Sequence, residues 1–248
     1  MTVSQSPLLR VAGLGVRYGV ATALDDISIE VEQGGFVALL GANGAGKSSL
    51  ARAISGVVPA SAGSIHYAGQ DITKLPAHVR RRRGLAYLPE ERGVFWDLSV
   101  IDNLRMGVRW LPTKADRQEA IAYCFDLFPR LAERRTQLAG SMSGGEQQML
   151  ALGRSLAVRP QLLIADELSL GLSPKMVDLV FDVLDKSRND GTTVVLIEQF
   201  VHRALELGDS AVILRQGRVV WTGTAEDAKD EVLVQYLEDS AELESAEG

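Results

Sequence analysis

The chain has 248 residues, 46% of them hydrophobic and 23% charged, with 24 glycines and 8 prolines. That is ordinary globular composition, enough for one large or two small domains. A net charge of −6 speaks against a nucleic-acid-binding surface as the main business, and the single cysteine, Cys124, excludes an intrachain disulfide.

The opening "MTVSQSPLLR" lacks a charged start followed by an apolar block, so no signal peptide is expected. No apolar run approaches the roughly 18–20 residues that a membrane helix needs. The expectation is a cytosolic chain, held at a membrane only if another protein holds it there. Strand signals come first: "LLRVAGLGVRYG", then "ISIEVEQGG" with period-2 alternation, then "FVALLG", short, apolar and closed by glycine like a buried parallel strand. A helix, "GKSSLARAISGVV", follows, and "GSIHYAGQDI" reads as strand and turn. "LPAHVRRR" is a short helix whose Arg80 to Arg83 read as a solvated end with cations near its C-terminus, a partner or phosphate contact being the other reading. "LAYLPE" is a strand that stops at Pro89.

From about residue 97 to 140 the character changes. "SVIDNLRMGVRW" and "KADRQEAIAYCFDLFPRLAERRTQLAG" carry helical periodicity with almost no strand signal, which predicts an inserted helical subdomain, with Cys124 as a buried thiol. Strand–helix alternation then resumes. "GGEQQMLALGRSLAVRP" is a helix, "QLLIADE" a buried strand, "PKMVDLVFDVLDKSRNDG" a helix closed by Gly191, and "TTVVLIEQ" another buried strand. "HRALELG" is a short helix, "SAVILRQGRVVWTG" a hairpin around Gln216–Gly217, and "TAEDAKDEVLVQYLED" a last helix. The pattern is an α/β core interrupted by helices. It reads as one domain over residues 1–240, with a core over about 1–88 and 150–240, a helical subdomain over about 89–149, and a fraying acidic tail at 241–248.

"GANGAGKS" fits the pattern G-x-x-x-x-G-K-[ST] from Gly41 to Ser48, directly after a strand and opening a helix. Gly41, Ala42, Asn43, Gly44, Ala45 and Gly46 form the loop, its glycines letting successive N–H groups turn toward a β-phosphate. Lys47 neutralises phosphate oxygens, the Ser48 hydroxyl ligates magnesium, and Ser49 supports the α-phosphate side. The magnesium partner should be an acid ending a different buried strand. "LLIADE" supplies Asp166 at that end and Glu167 next to it, the base that polarises the attacking water. Without a ligand the same pair would read as a helix cap.

A second anion-receiving helix start stands in "SMSGGEQQM". A helix N-terminus contributes roughly 0.3–1 kcal/mol toward an anion, up to about 2 in good geometry, so alone it could not hold ATP against water. It makes sense as a second jaw on a γ-phosphate held elsewhere, with Ser143 donating a hydroxyl and Gly144 and Gly145 allowing close approach. The helical insertion would keep this jaw away from its own chain's loop. Two chains head to tail, each loop facing the other's jaw, is the economical arrangement. A well-capped core helix without a ligand is the plainer alternative.

The order P-loop, "SGGEQQ", "LLIADE", "SLGL" resembles the ATP-binding-cassette (ABC) ATPases over residues 8 to 235 or so. The resemblance implies a P-loop NTPase (RecA-like) core with an N-terminal antiparallel β subdomain and an inserted α-helical subdomain, working with ATP and Mg2+. Ser143, Gly144, Gly145, Glu146 and Gln147 then match the signature that acts on the partner chain's ATP, and Tyr18 matches the aromatic that stacks on adenine. "SLGLSP", Ser169 to Pro174, resembles the loop through which two cassettes communicate.

Most cassettes carry a glutamine entering the helical subdomain and a histidine after the last core strand. Here "YLPEERGVF" puts Glu90 at the first position, a possible metal contact, and "VVLIEQF" puts Gln199 at the second; His202 lies too far along to substitute. Gln199 can orient water or contact the γ-phosphate but cannot carry a proton. These patterns resemble the second ATPase subunit of branched-chain amino-acid importers, with Glu91 where that subgroup has glycine and Phe200 where it has asparagine. Leu168 replaces a proline and should loosen the turn after Glu167.

The resemblance implies an ATPase subunit on the inner face of the cell membrane. Its partners would be a second cassette, identical or not, transmembrane permease subunits and, indirectly, a solute-binding protein; nucleic acid is not among them. The solutes would be branched-chain or related hydrophobic amino acids, amides or urea-like molecules. The competing readings are an exporter or lipid-handling ATPase, a soluble cassette clamp, and a nucleotide kinase or GTPase; the last leaves "SGGEQQ" unexplained.

Overall fold

The computed structural model describes residues 6–198 and 201–229. β1 (Leu9–Tyr18) and β2 (Ala21–Val31) open it as an antiparallel hairpin, and the buried β3 (Phe36–Leu40) runs through the glycine-rich loop into α1 (Lys47–Ser55). β4 (Ala62–Tyr67) and the two-residue β5 (Gln70–Asp71) complete a four-stranded sheet in the order β2-β1-β4-β5. α2 (Ala77–Arg82) and β6 (Leu85–Leu88) precede a run of helices, α3 (Val100–Val108), α4 (Lys114–Leu127) and α5 (Pro129–Glu133). α6 (Gly144–Leu156), β7 (Leu162–Asp166), α7 (Pro174–Asn189) and β8 (Thr193–Ile197) follow. α8 (Val201–Leu207), β9 (Ser210–Arg215) and β10 (Arg218–Thr224) come last. The second sheet has the order β10-β9-β3-β8-β7-β6, parallel throughout except for β10.

The central strands are apolar at every position because both faces of this sheet are covered. Phe36, Ala38 and Leu40 of β3 join Leu163 and Ala165 of β7 in one core shared with helices α3 to α7. The alternate residues, Val37 and Leu39 with Leu162 and Ile164, join α1 and the four-stranded sheet in a second core. Period-2 alternation thus sorts one strand between two cores. The carboxyl ends of β3, β7 and β8 come out side by side, since Leu39 and Asp166 both lie in register with Ile197.

Three local expectations change. β2 begins at Ala21, well before Ile27, because an edge strand paired on one side only tolerates the polar "ATALDD" as alternation. The long helical stretch breaks at Phe128, where Pro129 takes the first position of α5, and the chain then turns to a 3-10 segment, Ala139–Ser141. Arg80 is not at a solvated helix end: it is 3% exposed, and its guanidinium donates to the Ala53, Ile54, Thr73 and Leu75 carbonyls. It closes the C-terminal end of α1, where orphan carbonyls favour a cation. The last expected helix falls mostly beyond residue 229, and it, the acidic tail and Gln199 lie outside the described residues.

Candidate functional site

Gly41 and Gly46 have φ of 143° and 105°, and a Cβ on either would meet Leu214 O at 2.2 Å or Leu24 Cδ2 at 2.7 Å. The loop can run as close to β9 and β2 as it does only with glycine there. Gly217 N donates to Ala45 O and Asp25 N donates to Gly217 O, both at 2.9 Å, which stitches the β9–β10 turn, β2 and the loop together. α1 starts at Gly46 with no side-chain cap, so its first N–H groups are left for an anion. Lys47, 5% exposed, donates to the Gly41 and Ala42 carbonyls at 2.8 and 3.1 Å. Burial lowers its pKa below the ordinary lysine value, while the Glu167 and Asp166 carboxylates pull it back up.

The loop borders a cavity of about 370 Å3, also walled by Thr22, Ala23, Glu167, Gln216 and Gly217. Ser48 and Ser49 line it as well. Ser48 Oγ donates to Asp166 Oδ1 and Tyr87 Oη to Asp166 Oδ2, each at 3.2 Å. Burial pushes the Asp166 carboxyl above its ordinary value, with these two hydrogen bonds opposing it and the Glu167 charge adding to it. Glu167 holds a left-handed φ of 50°, a conformation that costs a non-glycine residue about 1–3 kcal/mol and that clusters at functional sites. Its N–H donates to Ile197 O at 2.9 Å, fixing it to the end of β8. The expected loosening at Leu168 meets a counterweight, because that side chain is 1% exposed. Ser169 is clamped next to it: its N–H donates to Glu198 Oε1 at 3.0 Å and its hydroxyl to Glu198 Oε2.

α6 starts differently. Ser143 caps it by accepting from Glu146 N at 3.3 Å, while Glu146 Oε2 accepts from both Ser143 N and Ser143 Oγ at 3.0 Å. This is the S-x-x-E capping box, a signal present in the sequence that anion reasoning passed over. Burial works against the Glu146 carboxylate, but the Ser143 hydrogen bonds and Arg134, 3.0 Å away, hold its pKa below the ordinary value. Gln147 is buried, donating to Ala139 O and Met142 O and accepting from Arg92 Nη1 at 3.2 Å. A Cβ on Gly144 would lie 3.0 Å from the Arg92 guanidinium, and one on Gly145 would lie 3.1 Å from Met176. The paired glycines therefore admit neighbours of this chain as well as any ligand.

The structure brings Asn43, Gly44, Gly46, Lys47, Ser48, Ser49 and Glu167 to one cavity, with Asp166 behind Ser48. None of Ser143 to Gln147 lines it. Glu90 is exposed on the turn after β6, His202 is exposed on α8, and neither borders the cavity. Tyr18 is 45% exposed at the end of β1 and reaches Arg52 of α1 instead of the cavity wall. Among the described residues no cluster of three or more His, Cys, Asp or Glu could hold a metal alone, and no helix is long and apolar enough to cross a membrane. Sequence reasoning gave no site role to Tyr87, which holds Asp166, to Thr22 and the Gln216–Gly217 turn, which wall the cavity, or to Glu198, which clamps Ser169.

A family model described as ABC transporter matches residues 24–169. The chain is 46% identical over 222 residues to the high-affinity branched-chain amino acid transport ATP-binding protein BraG of Pseudomonas aeruginosa, covering 89% of this chain and 95% of that one. It is 33% identical over 218 residues to the lipopolysaccharide export system ATP-binding protein LptB of Escherichia coli K12, covering 87% and 90%. A solved ATP-binding cassette of an ABC transporter, in its ADP conformation, superposes with a TM-score of 0.83 at 23% identity, over 94% of this chain and 99% of that one. That likeness concerns the fold.

Proposed function

The chain belongs to the ABC transporter family as an ATP-binding and ATP-hydrolysing member, and from that premise we propose that it powers an importer of branched-chain or related hydrophobic amino acids. The solute class rests on the 46% relative, against 33% for the lipopolysaccharide exporter's subunit, and on the "PEER" and "IEQF" replacements. The chain would sit on the inner face of the membrane, bound to permease subunits that lie near the loop from Glu90 to Phe95. A solute-binding protein would feed those subunits.

One observation carries the mechanism: the phosphate cradle and the capped glycine helix belong to one chain, yet the helix start contributes nothing to the cradle's cavity. This supports a head-to-tail pair in which each Ser143–Gln147 segment closes on the other chain's nucleotide. Gly41 to Ser49 would hold the phosphates, Lys47 exchanging its two loop carbonyls for phosphate oxygens. Tyr18 would stack on adenine from the exposed end of β1. Ser48 and Asp166 already share a hydrogen bond and are hard oxygen donors of the kind Mg2+ takes together with phosphate and water, so the residues fit that ion. When bound, it supplies charge neutralisation at the phosphates. Glu167 would orient the attacking water, and Gln199, at the position where most cassettes carry histidine, would contact that water or the γ-phosphate. Ser143 must release its proton from Glu146 before donating across the interface.

Reconstitution tests this reading. The chain, its permease subunits and a second cassette in sealed vesicles should give ATP-dependent uptake of leucine or a related aliphatic amino acid. ATP turnover without uptake of any such solute, or outward movement only, would remove the importer assignment.

A further inference from the structure

Asp166 ends β7 with both carboxylate oxygens engaged from two different elements. Ser48, in the first turn of α1, donates to Oδ1, and Tyr87 of β6 donates to Oδ2, each at 3.2 Å. Tyr87 pairs with Ile164 in the parallel register of β6 and β7. Ile164 and Asp166, two residues apart, share the face of β7 turned to the core that α1 helps to build. Arg52 completes the arrangement. It stands one turn after Ser48, at the i,i+4 spacing that puts two side chains on one helix face. Its half-buried guanidinium donates to the Tyr87 phenol oxygen and to that of Tyr18. Among the described residues Arg52 is in no ion pair, and Asp166, on the far side of the Tyr87 phenol, is a carboxylate that feels its charge.

The four groups close a ring: Ser48 and Arg52 on one face of α1, Asp166 and Tyr87 on neighbouring strands. Its hydrogen bonds run in one sense, from the Arg52 N–H to Tyr87 Oη and from the Tyr87 O–H to Asp166. A hydroxyl that accepts from a cation donates more strongly in its turn. We infer that Tyr87 and Arg52 are positioning residues of the metal site, Tyr87 by fixing the plane of the Asp166 carboxylate and Arg52 by acting through Tyr87. The inference rests on the reading of Ser48 and Asp166 as the Mg2+ holders and deepens it. The last torsion of an aspartate is broad, so one hydrogen bond leaves the carboxylate free to swing and a second on the other oxygen stops it. Ser48 alone cannot do this, because its hydroxyl reaches Oδ1 only. Orientation matters for this ion in particular. Mg2+ demands near-ideal octahedral geometry, whereas Ca2+ accepts variable distances and angles.

The test measures metal binding instead of turnover. The full chain is held in excess over a non-hydrolysable ATP analogue, Mn2+ is added, and the free ion is counted by electron paramagnetic resonance. Tyr87→Phe, which keeps the ring and loses the hydroxyl, should weaken Mn2+ binding by about tenfold or more. Its affinity for the analogue in EDTA should stay within about twofold of the wild type. Arg52→Met should weaken Mn2+ binding less, and the double variant should be no worse than Tyr87→Phe alone, because Arg52 acts through the phenol. Competition by Mg2+ and Ca2+ should show the preference for Mg2+ shrinking in Tyr87→Phe. Melting curves by circular dichroism show whether Tyr87→Phe folds; Arg52→Met carries the test if it does not. Wild-type Mn2+ affinity in both single variants, with binding lost in Asp166→Asn, overturns the inference and leaves the Mg2+ reading standing. Weaker Mn2+ binding matched by an equal loss of affinity in EDTA, or with the ion preference unchanged, would show a merely structural role and overturns it too. Additive losses in the double variant would refute the route through Tyr87. Undiminished Mn2+ binding in Asp166→Asn would overturn the Mg2+ reading itself.

Discussion

Lys47 and Asp166 are both buried, in an interior that neither charge would choose alone. The Lys47 ammonium is held by two loop carbonyls, each a weaker partner than a phosphate oxygen. Lys47→Ala should therefore weaken ATP binding by roughly 1.5–3 kcal/mol, or about tenfold or more in Kd, read by titration with a fluorescent ATP analogue. Unchanged affinity would mean the loop is not the phosphate site. Asp166 makes the opposite trade. Burial raises its folded pKa, so its ionised form costs stability at neutral pH, and that cost fades as the pH falls through the raised value toward the ordinary 3.8. Asp166→Asn should thus melt about 2–4 °C higher than the wild type at pH 7 without nucleotide, for a gain of about 1 kcal/mol. The difference should shrink on acidification, and Mg-dependent ATP turnover should be lost. A lower melting temperature at pH 7 would show that the carboxylate is well compensated by Ser48 and Tyr87 alone.

Elements were more legible than their joints. The apolar runs "FVALL" and "LLIAD" could only be buried strands, and "GANGAGKS" put a glycine-rich loop where β3 passes into α1. What sequence patterns did not carry was partnership across the fold. Nothing local says that Arg80 reaches the end of α1, that Tyr87 meets Asp166, or that Glu198 clamps Ser169. Helix contacts show the same limit. Gly153 reads as a mild flaw in α6, but a Cβ there would meet Cys124 Sγ at 2.5 Å and Phe128 Cδ2 at 3.1 Å, so the missing side chain is what lets α4 lie against α6. Gly153→Ala should overpack this contact, costing about 2 kcal/mol and about 4–8 °C in melting temperature. Cys124, now fully buried with its thiol pKa pushed up to about 12, should become open to Ellman's reagent under native conditions in that variant alone. A variant that melts with the wild type and stays unlabelled would show that the two helices do not pack this closely.

At the scale of the whole molecule, the question is why a chain whose glycine-rich loop borders one cavity also carries a capped glycine helix that contributes nothing to it. A helix terminus adds at most about 2 kcal/mol toward an anion, too little to recruit ATP but enough to shift an association equilibrium when two such ends close on two bound nucleotides. In the proposed head-to-tail pair, closure would depend on the γ-phosphate and would be undone when hydrolysis removes it. Glu167 occupies a strained position at the cavity wall, with its backbone tied to β8, so its carboxylate can be changed without dismantling the cradle. Glu167→Gln should keep ATP affinity within about twofold of the wild type while abolishing turnover, so that closed pairs accumulate. Light scattering should then show the mass of this variant doubling with ATP and Mg2+ and remaining single with ADP, and the added Lys47→Ala change should prevent the doubling. The wild type, which can hydrolyse its way out, should show less dimer under the same conditions. If Glu167→Gln stayed a monomer at saturating ATP, Ser143 to Gln147 would be the start of a well-capped core helix and nothing more, and the force on the permease would have to come from somewhere other than closure of the pair.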